Sequence, residues 1–171
     1  MGARDLADEG GSEWNVEGDE FGHGVQVKCQ TGALRGVTVG TTRFERRIAA
    51  SADAVWDVVK EPASIPTWFP GVVSCTVDGN VRVITLKNGM EMPEQILTID
   101  SRLRRFQYRI TAPMYRHHLG TIDVIALGPN ECLCVYSTMA EPDMFALLIG
   151  GGTYAALKEI ERQALARQEA A

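Results

Sequence analysis

Residues 79–110, GNVRVITLKNGMEMPEQILTIDSRLRRFQYRI, read as three consecutive antiparallel strands that carry polar residues where an inner face calls for apolar ones. Apolar residues alternate through Val81 and Val83 and again through Ile84 and Leu86, which marks a strand without saying which face is inside. The turn supplies that information. Lys87-Asn88-Gly89 suits a three-residue hairpin loop in which a type I turn ends with Gly89 in the left-handed region, where a Cβ is penalised. In that register Leu86 faces Met90, Ile84 faces Met92 and Arg82 faces Glu94, so one face holds four apolar side chains and one opposite-charge pair. A two-residue Asn88-Gly89 turn would put Val83 opposite Glu94 and turn Arg82 to the other face, so the outcome depends on loop length. The apolar matching favours the three-residue loop.

Arg82 and Glu94 can mean two things. As an exposed cross-strand ion pair they would contribute roughly 0.2–1 kcal/mol and nothing more. At the floor of an apolar pocket, Glu94 would accept a substrate proton and Arg82 would hold a carbonyl or carboxylate oxygen.

The 171 residues suit one domain with a core large enough to be stable alone, and 45% hydrophobic with 23% charged residues is an ordinary globular composition. The net charge of -5 is uneven: residues 1–22 hold seven acids against Arg4, leaving 15 acids and 16 bases in the remainder. The acidity therefore belongs to the tail. A near-neutral body with no basic run gives no electrostatic case for nucleic acid. Cys29, Cys75, Cys132 and Cys134 lack CxxC spacing and no secretory leader precedes them, which implies reduced thiols in a cytoplasmic protein. Cys132 and Cys134 share a strand face and read as small buried hydrophobes, so neither a metal site nor a cofactor is expected. No apolar run is long enough to insert in a membrane.

In chain order, residues 1–24 are expected to form an acidic, disordered tail, in which His23 has no role, and residues 25–37 an irregular extension. A strand is predicted over Thr38–Ile48, then a helix capped by Ser51 with Val55, Trp56, Val58 and Val59 as its apolar face. A second short helix over Pro62–Ile65 leads to Trp68 and Phe69, aromatics expected to cover one mouth of the fold, with Trp68 as a structural plug. Strands follow at Val72–Asp78, Val81–Leu86, Met92–Ile99, Arg104–Thr111, His118–Leu127 and Glu131–Ala140. The longer connection Ala112–His117, with Tyr115 and Arg116, is the kind of loop in which gates and binding residues occur. A last helix opens at Pro142-Asp143 with a stripe of Phe145, Ile149, Gly152, Ala156 and Ile160, continued by Ala164. Gly150-Gly151-Gly152 costs roughly 1 kcal/mol per glycine in a helix, so either the helix breaks there or the missing side chains make room for a cavity.

Strand, two short helices, six antiparallel strands and a long terminal helix resemble the helix-grip fold of START-like proteins, an α+β class in which a curved antiparallel sheet wraps the last helix round an internal cavity. This superfamily groups polyketide cyclase/dehydrases, birch-pollen-type allergens, abscisic acid receptors and lipid carriers. A ligand-binding domain is expected over residues 38–168, and the resemblance covers residues 38–167 of it. Its most specific part is Val81-Arg82, Asn88-Gly89, Glu94, Asp100, Arg105, Tyr108 and Ile110, with Ala52-Asp53-Ala54-Val55-Trp56 matching the first-helix signature. It implies a small hydrophobic ligand. Arg82 and Glu94 look like the arginine and glutamate that onion lachrymatory factor synthase applies to its substrate, and the tyrosine completing that site falls at His118 here.

Pocket residues are expected at Ile84 and Met92 from the hairpin face, at Ile122 from its alternation with His118, at Phe145, Ile149 and Gly152 on the helix stripe, and, as the resemblance implies, at Tyr108, Ile110 and Tyr136. His117 and His118 point to opposite faces, and alternation with Gly120, Ile122 and Val124 turns His118 inward. Two functions remain open. One is a carrier or binding protein whose Arg82 and Glu94 anchor the polar end of its ligand. The other is a cyclase/dehydratase-type enzyme in which Glu94 or His118 moves a proton next to a carbonyl while Arg82 stabilises the enolate. Either a monomer or a homodimer is compatible with the chain.

Overall fold

A computed structural model describes residues 39–169. The tail expected over 1–24, the extension over 25–37 and Thr38, the expected first residue of the first strand, lie outside the described residues. In order come strand β1 (Gly40–Ile48), helix α1 (Ala52–Val59), a 3-10 turn (Pro62–Ser64) running into helix α2 (Ile65–Trp68), then strands β2 (Val72–Asp78), β3 (Val81–Leu86), β4 (Glu91–Asp100), β5 (Arg105–Ile110), β6 (His117–Gly128) and β7 (Glu131–Glu141), and helix α3 (Met144–Glu169). The strands make one sheet in the order β1-β7-β6-β5-β4-β3-β2, every pair antiparallel. Successive strands from β2 to β7 are thus neighbours, and only β1 joins across the sequence. Extra residues between Val72 and Ser74, Ile96 and Thr98, and Ala126 and Gly128 interrupt the ladders, and such bulges bend a sheet. Helix α3 packs on β1, β7 and α1, which is the expected helix-grip arrangement.

The hairpin takes the three-residue loop. Gly89 has φ 81° and donates its N–H to Leu86 O at 2.8 Å, while Leu86 N–H reaches Met90 O at 2.9 Å. Ile84 then pairs with Met92 and Arg82 with Glu94, so all of them share the concave face.

Helix α1 begins as its sequence predicts: Ser51 Oγ accepts the Ala54 N–H at 3.2 Å, and Val55, Trp56, Val58 and Val59 are buried. Strand β5 starts one residue later than expected because Arg104 closes the preceding turn with φ 49°, after Asp100 Oδ1 has accepted the N–H groups of Arg102 and Leu103. The second helix runs on to Trp68, whose indole N–H donates to Ser64 Oγ at 3.0 Å in a buried setting.

Helix α3 continues unbroken through its glycines. A Cβ on Gly150 would come within 3.2 Å of Phe44 and Thr42, and one on Gly152 would lie 2.8 Å from the Phe69 ring. The glycines therefore let the helix approach β1 and the aromatic after α2. Ala156, Ile160 and Ala164 are buried as expected, but nearer the N-terminus the buried row is Ala146, Gly150 and Thr153. Phe145, Ile149 and Gly152 are only half-buried, one step round the helix, and they face a void. Among the described residues, no helix is long and apolar enough to cross a membrane.

Candidate functional site

Between α2, α3 and the concave face of β3–β7 lies a cavity of about 290 Å³. Eight of the nine expected pocket residues are on its wall: Ile84, Met92, Tyr108, Ile110, Tyr136, Phe145, Ile149 and Gly152. Ile122 is the exception. It faces inward but pairs with Phe106 and Tyr136 and is 0% exposed, so it belongs to the solid core beneath the cavity. Strand alternation gives both roles the same signature. Sequence reasoning missed Ile65, Val72, Leu86, Asn88, Met90, Met114, Tyr115 and Leu148 on the wall. Leu86 and Met90 could have been found, since the three-residue register already puts them on the inner face. Tyr115 comes from the connection marked as the kind that carries binding residues, and Phe69 from the aromatics expected at the mouth.

Of the three residues singled out for chemistry, only Glu94 reaches the wall. Arg82 and Glu94 are 1% and 2% exposed, so the reading of an exposed surface pair does not hold. Arg82 Nε donates to Glu94 Oε2 at 2.6 Å and Nη1 to Pro62 O at 3.0 Å. The guanidinium lies over Phe106 and Tyr108, 5.2 and 5.0 Å from the ring centroids. It is thereby held behind the carboxylate, away from the cavity. Burial lifts the Glu94 carboxyl above its ordinary range, and Arg82 pulls the other way without cancelling it. Burial alone would lower the Arg82 guanidinium, but Glu94 and the surrounding tyrosines together outweigh it and hold it raised.

Tyr108 and Tyr136 bring their hydroxyls to 2.6 Å of each other, and burial pushes both phenols well up, so both stay protonated near neutral pH. Space for the Tyr108 ring comes from Gly120, its partner across β5 and β6. A Cβ there would stand 2.3 Å from Tyr108 Cε1 and 2.4 Å from Cζ. Gly120→Ala is therefore expected to cost about 1–3 kcal/mol, as overpacking does in a rigid core, and to pull the two tyrosine hydroxyls apart. Urea unfolding measures the first effect, and tyrosine near-ultraviolet circular dichroism the second.

His118 is buried on the inner face as alternation predicts, but it is not on the cavity wall. Its Nδ1 accepts the Ile110 N–H at 3.0 Å, which puts the proton on Nε2, and Tyr115 packs edge-on against the ring with centroids 5.7 Å apart. Burial, with help from His117, lowers its pKa to about 4. A neutral imidazole whose acceptor nitrogen is already committed, and which is not on the cavity wall, does not suit a proton carrier at neutral pH. It instead fixes the end of β5. Because the folded pKa lies below the unfolded 6.5, its contribution to stability is complete above pH 6.5 and disappears as the pH falls through about 4. Over that interval the native state is expected to lose up to about 3 kcal/mol through this group. His118→Asn keeps an acceptor for Ile110 and should flatten that part of the pH profile. Comparing wild type with variant by urea unfolding at pH 4.5 and 7.5 cancels what the other titrating groups contribute to both.

Cys132 and Cys134 are buried on the concave face, and burial pushes the Cys132 thiol up to about 11, so they are packing groups. Among the described residues, no cluster of three or more His, Cys, Asp or Glu could hold a metal ion.

The family described as polyketide cyclase / dehydrase and lipid transport matches residues 39–170. Among solved structures, the chain is similar to the protein XoxI from Bacillus cereus, with 25% identity and a TM-score of 0.68, covering 73% of this chain and 95% of that one. A START superfamily protein from Mycobacterium smegmatis has 14% identity and a TM-score of 0.62, covering 72% of this chain and 96% of that one. Norcoclaurine synthase from Thalictrum flavum, in complex with dopamine and hydroxybenzaldehyde, has 21% identity and a TM-score of 0.61, covering 74% and 87%. The last two likenesses are of fold alone. No curated protein matches the chain.

Proposed function

The chain belongs to the polyketide cyclase/dehydrase and lipid transport family, and from that premise we propose that it binds one small hydrophobic molecule in the cavity between α3 and the sheet, with Glu94 meeting the molecule's polar end and Arg82 holding Glu94 in place. The observation that carries this reading is a single carboxylate, backed by a buried guanidinium, in a wall made otherwise mostly of apolar and aromatic side chains. Such a lining, with a few placed polar groups, is the usual composition of small-molecule sites. The volume of about 290 Å³ is at the low end for such sites, roughly 300–1,000 Å³, and favours a compact molecule over a two-chain lipid. Native mass spectrometry of protein purified from its own host should find a co-purifying small molecule. Repeated isolation of an empty protein that also fails to take up hydrophobic probes would count against the proposal.

The enzymatic alternative draws on one observation, the raised pKa of the Glu94 carboxyl at the cavity wall, since a base poised nearer neutrality is better suited to proton transfer. Glu94→Gln separates the two. A binding protein should keep a weakened affinity, by about three- to ten-fold, because glutamine retains an acceptor oxygen and only the charge assistance of the hydrogen bond is lost. In an enzyme the same change should abolish turnover with binding nearly intact.

A further inference from the structure

Resting on the cavity-binding reading, we propose that the site selects ligands whose polar end is a neutral hydroxyl, an alcohol or a phenol, and discriminates against carboxylates. The order of the charged groups carries this. An incoming polar group meets Glu94, not Arg82, because the guanidinium is 1% exposed and lies off the wall: Nε is given to Glu94 Oε2, Nη1 to Pro62 O, the cation sits over two aromatic faces, and Nη2, which has no hydrogen-bond partner, is buried with the rest. The carboxylate has given Oε2 to Arg82, so Oε1 is the acceptor left for the cavity. An acceptor calls for a donor.

The tyrosine pair adds the complementary half. With the Tyr108 and Tyr136 oxygens 2.6 Å apart, one hydroxyl donates to the other and a single O–H remains to be given away. Glu94 pairs with Ile110, two residues along β5 from Tyr108 on the same face, so the acceptor and the phenol pair are diagonal neighbours. One hydroxyl oxygen can serve both, donating to Glu94 Oε1 and accepting from the free phenol proton. A carboxylate can only accept and would set an anionic oxygen against Oε1. An ammonium can only donate. Charge points the same way, because Arg82 and Glu94 already cancel, and either ionic headgroup would leave a net charge in an apolar interior.

Octanol, octanoate and octylamine share one chain and differ in headgroup, and their binding to the full-length protein at pH 7.5 is measurable by isothermal titration calorimetry. Octanol is expected to bind at least about ten-fold tighter than either ionic probe. In Glu94→Gln the guanidinium loses its counter-charge, so octanoate should gain and the order of octanol and octanoate should reverse. The wild-type comparison stands on its own if that variant folds poorly. Octanoate or octylamine binding as tightly as octanol to the wild type overturns the headgroup assignment and leaves cavity binding intact. Failure of all three probes to bind overturns both.

Discussion

Arg82→Met is expected to lower the unfolding free energy by about 3–5 kcal/mol, and the double variant Arg82→Met/Glu94→Leu to return to within about 1 kcal/mol of the wild type. The asymmetry follows from burial. Both side chains are almost fully enclosed and are joined at 2.6 Å. Removing the guanidinium leaves a carboxylate with no counter-charge, deprives Pro62 O of its donor, and takes a cation from over the Phe106 and Tyr108 rings. Replacing both partners with apolar groups of similar size removes the desolvation cost along with the attraction. The single variant should also change its pH response. With Arg82 gone, nothing offsets the burial that already raises the Glu94 carboxyl. A folded pKa above the unfolded one contributes stability that is present at low pH and lost as pH rises through the folded value, so Arg82→Met should recover on acidification toward pH 5. Urea midpoints at pH 5 and pH 8, with an unchanged slope against denaturant, read out all three expectations. A single variant costing under about 1 kcal/mol, or a double variant no better than the single, would show that the pair is not a buried, mutually dependent unit. If the double variant is as stable as expected, the fold has no need of these charges, and a role in ligand recognition is what remains for them.

The hairpin shows why so much of the fold was legible. Lys87-Asn88-Gly89 fixes a loop length, the loop length fixes a register, and the register sends Arg82 and Glu94 to the concave face along with Ile84 and Met92. Each step is local, and local geometry leaves a mark in sequence. What sequence could not give was depth. Alternation assigned Ile122 and Ile84 alike to the inner face, yet one is sealed in the core while the other borders the void. The same limit applies to the ion pair: opposite-charge residues facing each other say nothing about which stands in front. That order is set by Pro62, Phe106 and Tyr108, which reach Arg82 from other elements. His118 was placed on the correct face, but its hydrogen bond to the Ile110 backbone depends on how β5 ends. The three glycines of α3 signal an unusual demand, and only packing against Phe44, Thr42 and Phe69 says what Gly150 and Gly152 answer, while Gly151 faces open space.

Depth also gives the second large prediction, a pair of substitutions whose effects should be opposite. Ile149→Trp puts an indole where a half-buried side chain of α3 borders the cavity. Since that side chain faces space and not packed atoms, the usual overpacking penalty should be small, and stability is expected to stay within about 1 kcal/mol of the wild type. Affinity for a hydrophobic probe such as octanol should fall by at least about 100-fold, equivalent to roughly 2.7 kcal/mol, because the volume the ligand needs is taken. Ile122→Ala should do the reverse. It removes a side chain that is 0% exposed and packed beneath the wall, so it is expected to cost about 2–5 kcal/mol of stability while leaving affinity in the folded protein within a few-fold. Calorimetric titration and urea unfolding on both variants give the four values. Retention of probe affinity in Ile149→Trp would mean that ligands bind elsewhere. A loss of affinity in Ile122→Ala equal to that in Ile149→Trp would mean that the core and the cavity wall respond as one body, and that the separation drawn between these two isoleucines has no energetic counterpart.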